Sequence, residues 1–373
     1  MGKHTDFIYL SEPDAIAAGV GDAAACVDTI EESFRLLSEG DYLMGGPNHN
    51  NHGITMVFPK SSPFPNMPLD GPDRRFAAMP AYLGGRFDVC GCKWYGSNAE
   101  NTKNGLPRSV LMMFLNDKST GEPLCLMSAN LISAARTGAV PGVATRHLAN
   151  PDAQVCAVIG CGPINKACTE AIRTQMKSAK RFVCYDLFED KAQAFADWIK
   201  KDLGVDASSS TDLADTVAQG DVVSIAASRL KPLHLEEAWL KKGSTILLTG
   251  PAKGEDGVFL NSNIILDHVK LQEAYVEDAI ASGDKEAFYA GVIGGPIFSL
   301  IDKGLLPPLS DFTAIGDVIR GKRPGRKSPD ERVLFLSCGM AVYDVAWTYD
   351  IYQNALKKGI GTKLLLWDSP AQA

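Results

Sequence analysis

Apolar residues recur along the chain with a period of two in some stretches and near 3.6 in others, and the switches between the two mark its elements. Residues 7–10 read as a short strand, followed by Ser11 as a cap. Beyond Asp22, the side chains of Val27, Ile30, Phe34 and Leu37 share one helical face until Gly40 ends the run. Residues 76–83, 89–95, 109–116 and 123–127 read as strands with turns at Gly84-Gly85 and 117–121, which predicts an antiparallel sheet. Residues 131–148 read as a helix, and the linker between two domains is expected near it.

The pattern then changes to short apolar runs alternating with amphipathic stretches, the mark of a parallel sheet covered by helices. Strands are expected at 155–159, 181–185, 222–227, 245–249 and 264–267, with helices at 163–177 and 191–201. A last helix is expected from about residue 332 through 356, closed by Lys357-Lys358-Gly359, before a final strand at 363–367. That helix is expected to return to the first domain.

The stretch at 155–186 carries the clearest chemistry. A β-branched run is broken by Gly160-Cys161-Gly162, a helix follows, and a second strand ends in Asp186. Gly160 permits the tight turn, Gly162 lets backbone approach a pyrophosphate, and the helix N-terminus offers free N–H groups. Asp186 would accept hydrogen bonds from ribose hydroxyls and repel a 2′-phosphate, so NAD is expected over NADP. Asn165 stands where a third small residue is usual.

Composition narrows the picture. The chain has 373 residues, 45% hydrophobic and 22% charged, enough for two domains with cores of their own. A net charge of −7 argues against a nucleic-acid binder, and the basic cluster at 320–327 is too local to change that. Nine scattered cysteines without a C-x-x-C pair read as core residues in a reducing compartment. His49 and His52, in the polar stretch NHNNHG at 48–53, lack a carboxylate or Cys at ligand spacing, so no metal is expected. No signal-peptide pattern opens the chain and no apolar run approaches membrane-spanning length; a cytoplasmic protein is the expectation.

Several segments in one order, namely 91–97 (GCKWYGS), 115–121, 131–139 (LISAARTGA), 158–162 (VIGCG) and Ile360-Gly361-Thr362, resemble the ornithine cyclodeaminase and μ-crystallin family. The G-x-K-W-x-G-S form is similar to its branch of N-(1-amino-1-carboxy-2-ethyl)glutamate dehydrogenases, which serve 2,3-diaminopropionate biosynthesis. The resemblance implies an α/β fold: a Rossmann NAD-binding domain at 137–332 and an α+β substrate-binding and dimerisation domain from 1–136 and 333–373. It also implies a homodimer and hydride exchange at a carbon bearing an amine, through an imine. Expected cofactor contacts are Thr137, Gly160, Gly162, Pro163, Ile164, Asp186, Ala227 and Ser228.

Lys93 and Arg136 each stand among apolar neighbours, where a cation needs an anion, and both match family positions at the substrate carboxylate. Their bland reading is an internal salt bridge. Arg108 and Arg75 suggest a second carboxylate in the substrate. Two family acids are missing: Ala77-Ala78 occupies the place of one, and Lys253 that of the other, with Glu255 and Asp256 close by. These three are the candidates for a general base. The expectation is therefore an NAD-dependent oxidoreductase on a multi-carboxylate secondary amine, with ornithine cyclodeaminase, a ketimine reductase and a μ-crystallin-like NAD(P)H-binding protein as the other readings.

Overall fold

A computed structural model describes residues 3–227 and 233–372 of the chain. They fall into two compact units: one takes the N-terminal segment through Asp22, Gly40–Arg136 and the segment from Met340 on, and the other takes Ala23–Glu39 and Thr137–Gly339.

The first unit is built on a mixed sheet. Its strands lie in the order Thr362–Trp367, Thr5–Leu10, Pro123–Ser128, Ser109–Asn116, Val89–Ser97, Arg75–Leu83, with Tyr42–Met44 and Ile54–Val57 both pairing with Arg75–Leu83. From Pro123–Ser128 to Arg75–Leu83 the pairing is antiparallel, as the alternation predicts. Alternate residues Ala77, Met79, Ala81 and Leu83 are buried, and the helix Ala341–Lys358 packs on that face. The approach is close. A Cβ at Gly91 would lie 2.9 Å from Val345 Cγ2 and 2.8 Å from the Phe114 carbonyl oxygen, so only glycine fits there. Gly359, at φ +64, closes the helix by donating to the carbonyls of Ala355 and Leu356.

The second unit is a doubly wound parallel sheet. Its order is Asp206–Ser210, Arg181–Tyr185, Val155–Ile159, Val222–Ile225, Thr245–Leu248, Val333–Leu336, Asn263–Leu266, Thr313–Ala314. The order reverses beside Val155–Ile159, and such a switch point is where these sheets bind ligands, outside the carboxyl ends of the strands.

Two expectations need correction. Residues 333–336 are a strand, not the start of the last helix, because four apolar residues buried on both faces between Thr245–Leu248 and Asn263–Leu266 carry no period to distinguish the two. The helix Ala23–Glu39 belongs to the second unit and not to the one that holds the rest of residues 1–136, because its apolar face packs on the helices Pro163–Gln175 and Ile315–Ile319. A Cβ at Gly316 would meet the Phe34 carbonyl oxygen at 2.4 Å, and one at Gly142 would meet Val27 Cγ2 at 2.7 Å. The division between units falls within the helix Asn130–Leu148, after Arg136. Among the described residues, no helix is long and apolar enough to cross a membrane.

Candidate active site

In the first unit, the pleat of Val89–Ser97 turns Lys93 onto the face covered by Ala341–Lys358, and burial leaves its side chain 4% exposed. Arg136, 7% exposed, comes from the helix Asn130–Leu148. Both cations meet one carboxylate that the sequence reading did not single out, Asp344, in the first turn of the covering helix and fully buried. Lys93 Nζ donates to Asp344 Oδ2 at 2.8 Å, and Arg136 Nε donates to Asp344 Oδ1 at 2.9 Å. The signal was available: Asp344 interrupts the apolar run AVYDVAW as Lys93 and Arg136 interrupt theirs.

Charge decides what this cluster can do. One carboxylate between two cations leaves an excess of one positive charge in a place where unpaired charge is costly. Burial pushes Lys93 down from the ordinary lysine value to about 8; the neighbouring Arg136 adds to the shift, and Asp344 opposes it. The Tyr95 ring stands 5.8 Å from Lys93 Nζ. Such a cluster has the charge to accept an anion.

A second group of two cations and one carboxylate lies farther along the sheet. Arg75 Nη2 and Arg108 Nε stand 3.2 and 3.3 Å from the two oxygens of Asp73, and the Ser97 hydroxyl donates to the Asp73 carbonyl at 2.6 Å. Asp73 takes φ +53, a left-handed conformation held by the surrounding turn. Arg75 is registered opposite Ser97, four residues from Lys93 on one strand, so Arg75 and Lys93 project from the same sheet face. At the ordinary strand rise the two levels are roughly 13 Å apart. Ala77, from the Ala77-Ala78 pair, is buried between them.

The glycine loop of the second unit follows Val155–Ile159. Gly160 takes φ +91, and a Cβ there would meet Ala227 Cα at 2.9 Å, so the turn closes tightly against the end of the neighbouring strand. Gly162 faces open space and begins the helix Pro163–Gln175 without a side-chain cap, leaving its first N–H groups for a ligand. Pro163 and Ile164 are exposed in that first turn. Asp186, just past the second strand, accepts from the Cys161 amide at 2.8 Å and the Phe188 amide at 3.1 Å. This loop fits a dinucleotide pyrophosphate. Asn165 is fully buried, and its amide donates to the carbonyls of Ile159 and Gly160 at 3.0 and 2.8 Å, so it pins the turn where a small residue usually lets it pack.

Thr137 is half-buried, and a Cβ at Gly138 would lie 2.3 Å from the Ala167 carbonyl carbon, which gives that glycine a helix-packing role. Ser228 lies outside the described residues. Two of the three base candidates, Glu255 and Asp256, lie by the start of the strand Val333–Leu336. Lys253 is exposed on Ala252–Gly254, a strand paired with Leu233–Leu235 outside the main sheet. Glu255 accepts from the Glu237 amide at 2.9 Å, and Glu237 pairs with Arg332, which immediately precedes Val333–Leu336. Glu255 and the adjoining Asp256 therefore sit toward the amino ends of the strands, opposite the loop. Among the described residues no three His, Cys, Asp or Glu side chains gather as metal ligands.

Comparison with known proteins gives this arrangement a context. The family model described as ornithine cyclodeaminase/mu-crystallin matches residues 21–359. An N-((2S)-2-amino-2-carboxyethyl)-L-glutamate dehydrogenase of Staphylococcus aureus is 27% identical over 365 residues, covering 97% of this chain and 99% of that one. An alanine dehydrogenase of Archaeoglobus fulgidus is 30% identical over 341 residues, 91% of this chain and 92% of that one. Among solved structures, an archaeal alanine dehydrogenase dimer with bound NAD superposes with a TM-score of 0.77 at 26% identity, covering 97% of this chain and 100% of that one.

Proposed function

The chain belongs to the ornithine cyclodeaminase/mu-crystallin family, and from that premise we propose that it is an NAD-dependent oxidoreductase that opens or forms the C–N bond of an amino-acid-derived secondary amine bearing more than one carboxylate. The observation that carries the reading is the pair of net-cationic clusters on one sheet face, Lys93-Arg136-Asp344 and Arg75-Arg108-Asp73, roughly 13 Å apart at the ordinary strand rise. A substrate with carboxylates at both ends satisfies both excesses. The distal ammonium of ornithine would meet arginine instead of the acid that a cyclodeaminase needs. The dehydrogenase from Staphylococcus aureus, which acts on a carboxyethyl-glutamate by its name, has a substrate of this chemistry.

Lys93 and Arg136 hold the carboxylate next to the reacting carbon and so fix where its hydrogen points. Oxidation takes a hydride from Cα and a proton from nitrogen, leaving an imine; water then adds, and the C–N bond breaks to a keto acid and a free amine. The Gly160–Gly162 turn and Asp186 would hold NAD, which when bound would supply the hydride acceptor. At about 8 in the absence of a ligand anion, Lys93 is mostly the ammonium near neutral pH, the form that binds a carboxylate. The sheet face that carries the exposed Trp94, opposite the one that carries Lys93, is the surface through which two copies would join as a homodimer.

The test is NADH absorbance at 340 nm with ornithine, lysine, N-(1-amino-1-carboxy-2-ethyl)glutamate and related secondary-amine dicarboxylates, with products identified by mass spectrometry. A net NADH signal accompanied by a keto acid and a free amino acid supports the reading. Proline and ammonia from ornithine, with no net NADH, overturn it.

A further inference from the structure

We propose that Asp344 is the positioning residue of the carboxylate site, holding Lys93 through one oxygen and Arg136 through the other so that the remaining donors of both cations converge on a single ligand carboxylate. The inference rests on the reading of Lys93 and Arg136 as substrate-binding groups. Three features separate this arrangement from an ordinary buried ion pair.

The first is the division of labour on the carboxylate. Lys93 takes Oδ2 and Arg136 takes Oδ1, so the two nitrogens are fixed side by side by one rigid group. The second is how Arg136 is held. A guanidinium bound for its own sake presents two parallel N–H groups to a carboxylate. Here, among the described residues, the side chain's hydrogen bond is through Nε alone, which sets the plane of the fork and keeps its Nη1 and Nη2 ends for another anion. The third is the charge balance. Asp344 offsets one cation and leaves the other in excess, so the site attracts an anion without carrying two uncompensated buried charges.

The groups around Lys93 agree. Asp344 faces it from the helix Ala341–Lys358, Arg136 from the helix Asn130–Leu148 and Tyr95 from its own strand, while its neighbours in register on the flanking strands, Met79 and Met113, do not titrate. Arg136 presses Lys93 toward its neutral form and Asp344 toward its charged form. Without Asp344 that opposition ends, and the ammonium faces a bare guanidinium.

The experiment compares wild-type, Asp344→Asn and Asp344→Glu proteins from pH 6 to 10, measuring kcat and KM with NAD and N-(1-amino-1-carboxy-2-ethyl)glutamate, and NADH affinity by fluorescence. In Asp344→Asn the Lys93 inflection is expected to move down by about one pH unit or more. KM is expected to rise about tenfold or more, with NADH affinity near wild type. Asp344→Glu keeps the charge but displaces it by one methylene, so the inflection is retained while KM rises. An unmoved inflection in Asp344→Asn, with activity lowered evenly at every pH, overturns the proposal, because a carboxylate that only packs the helix would behave so.

If wild-type protein turns over no substrate in the panel, the functional reading fails by itself, and Asp344 is judged by ¹⁵N NMR titration of the Lys93 ammonium. A midpoint near 8 that moves down in Asp344→Asn upholds the proposal; an unchanged midpoint defeats it. Should Asp344→Asn fail to fold, the double variant Lys93→Met, Asp344→Asn restores the wild-type excess of one charge and is expected to fold. Its failure would assign Asp344 to packing alone.

Discussion

Ser224 donates its buried hydroxyl to Asn165 Oδ1 at 2.7 Å, tying the helix after the glycine turn to the strand across the switch point. The Asn165 amide meanwhile holds the carbonyls of Ile159 and Gly160. Asn165→Ala leaves these buried groups without their partner, and a loss of about 2–3 kcal/mol is expected in urea unfolding. Because Gly160 is held at φ +91, the loosened turn should also weaken NADH binding. Restoring the more usual motif with Asn165→Gly should do no better than alanine. A glycine variant that binds NADH more tightly than wild type would show that Asn165 is a tolerated defect.

Asp186 does two things at once: it receives the Cys161 amide, and it places a negative charge at the end of the second strand. Asp186→Ala is expected to narrow the preference for NADH over NADPH, measured as the ratio of their dissociation constants. Asp186→Asn retains an acceptor for the Cys161 amide, so it separates charge from loop support. An unchanged ratio in both variants would remove Asp186 from the ribose site.

Lys93 gives stability a pH dependence of known sign. Its folded pKa, about 8, lies below the ordinary lysine value of 10.5, so between these values the unfolded chain binds more protons than the folded one. Stability therefore rises with pH across this window, and below about 8 the folded protein carries the full penalty, on the order of a few kcal/mol. Lys93→Met leaves Asp344 paired with Arg136 alone. That variant should lose the rise between pH 8 and 10 in denaturant unfolding, and a slope identical to wild type would place the titration elsewhere.

Sequence pattern made the two sheets legible because alternation and buried runs are local signals, and Lys93 and Arg136 stood out as cations in apolar surroundings. Asp344 carried the same signal but lies more than 200 residues from either partner, on a helix whose apolar density reads as packing. Asn165 read as a departure from a motif because its partner, Ser224, comes from a strand 59 residues away. The strand Val333–Leu336 was merged into the following helix for a related reason: its place in the sheet is set by neighbours distant in sequence.

Arg75 and Arg108 flank Asp73 at the half-exposed end of the cationic face. If they serve a distal carboxylate, Arg75→Ala and Arg108→Ala should both raise KM for a secondary-amine dicarboxylate, Arg75→Ala by about tenfold. The same changes should leave kcat for a substrate lacking that carboxylate near wild type. Arg108, 63% exposed, is expected to show the smaller effect because solvent screens it. Equal losses on both substrates would mean that the pair only holds the turn at Asp73.

The outer face of the first unit's sheet is apolar where water would favour charge. Trp94 is 44% exposed, Val110 49% and Phe114 38%. Phe114 and Val110 stand opposite Cys92 and Gly96, so both project from the same face as Trp94, and Phe76 stacks on Trp94 with ring centroids 5.7 Å apart. Large exposed aromatic side chains on one face mark an interface, and under the homodimer proposal a second copy of the chain occupies it. Trp94→Glu places a charge at the centre of that patch while leaving the Lys93 face of the strand untouched. It is expected to convert a dimer to a monomer in light scattering at micromolar concentration, with NADH affinity retained. If the variant still elutes with the wild-type mass, the copies join through another surface.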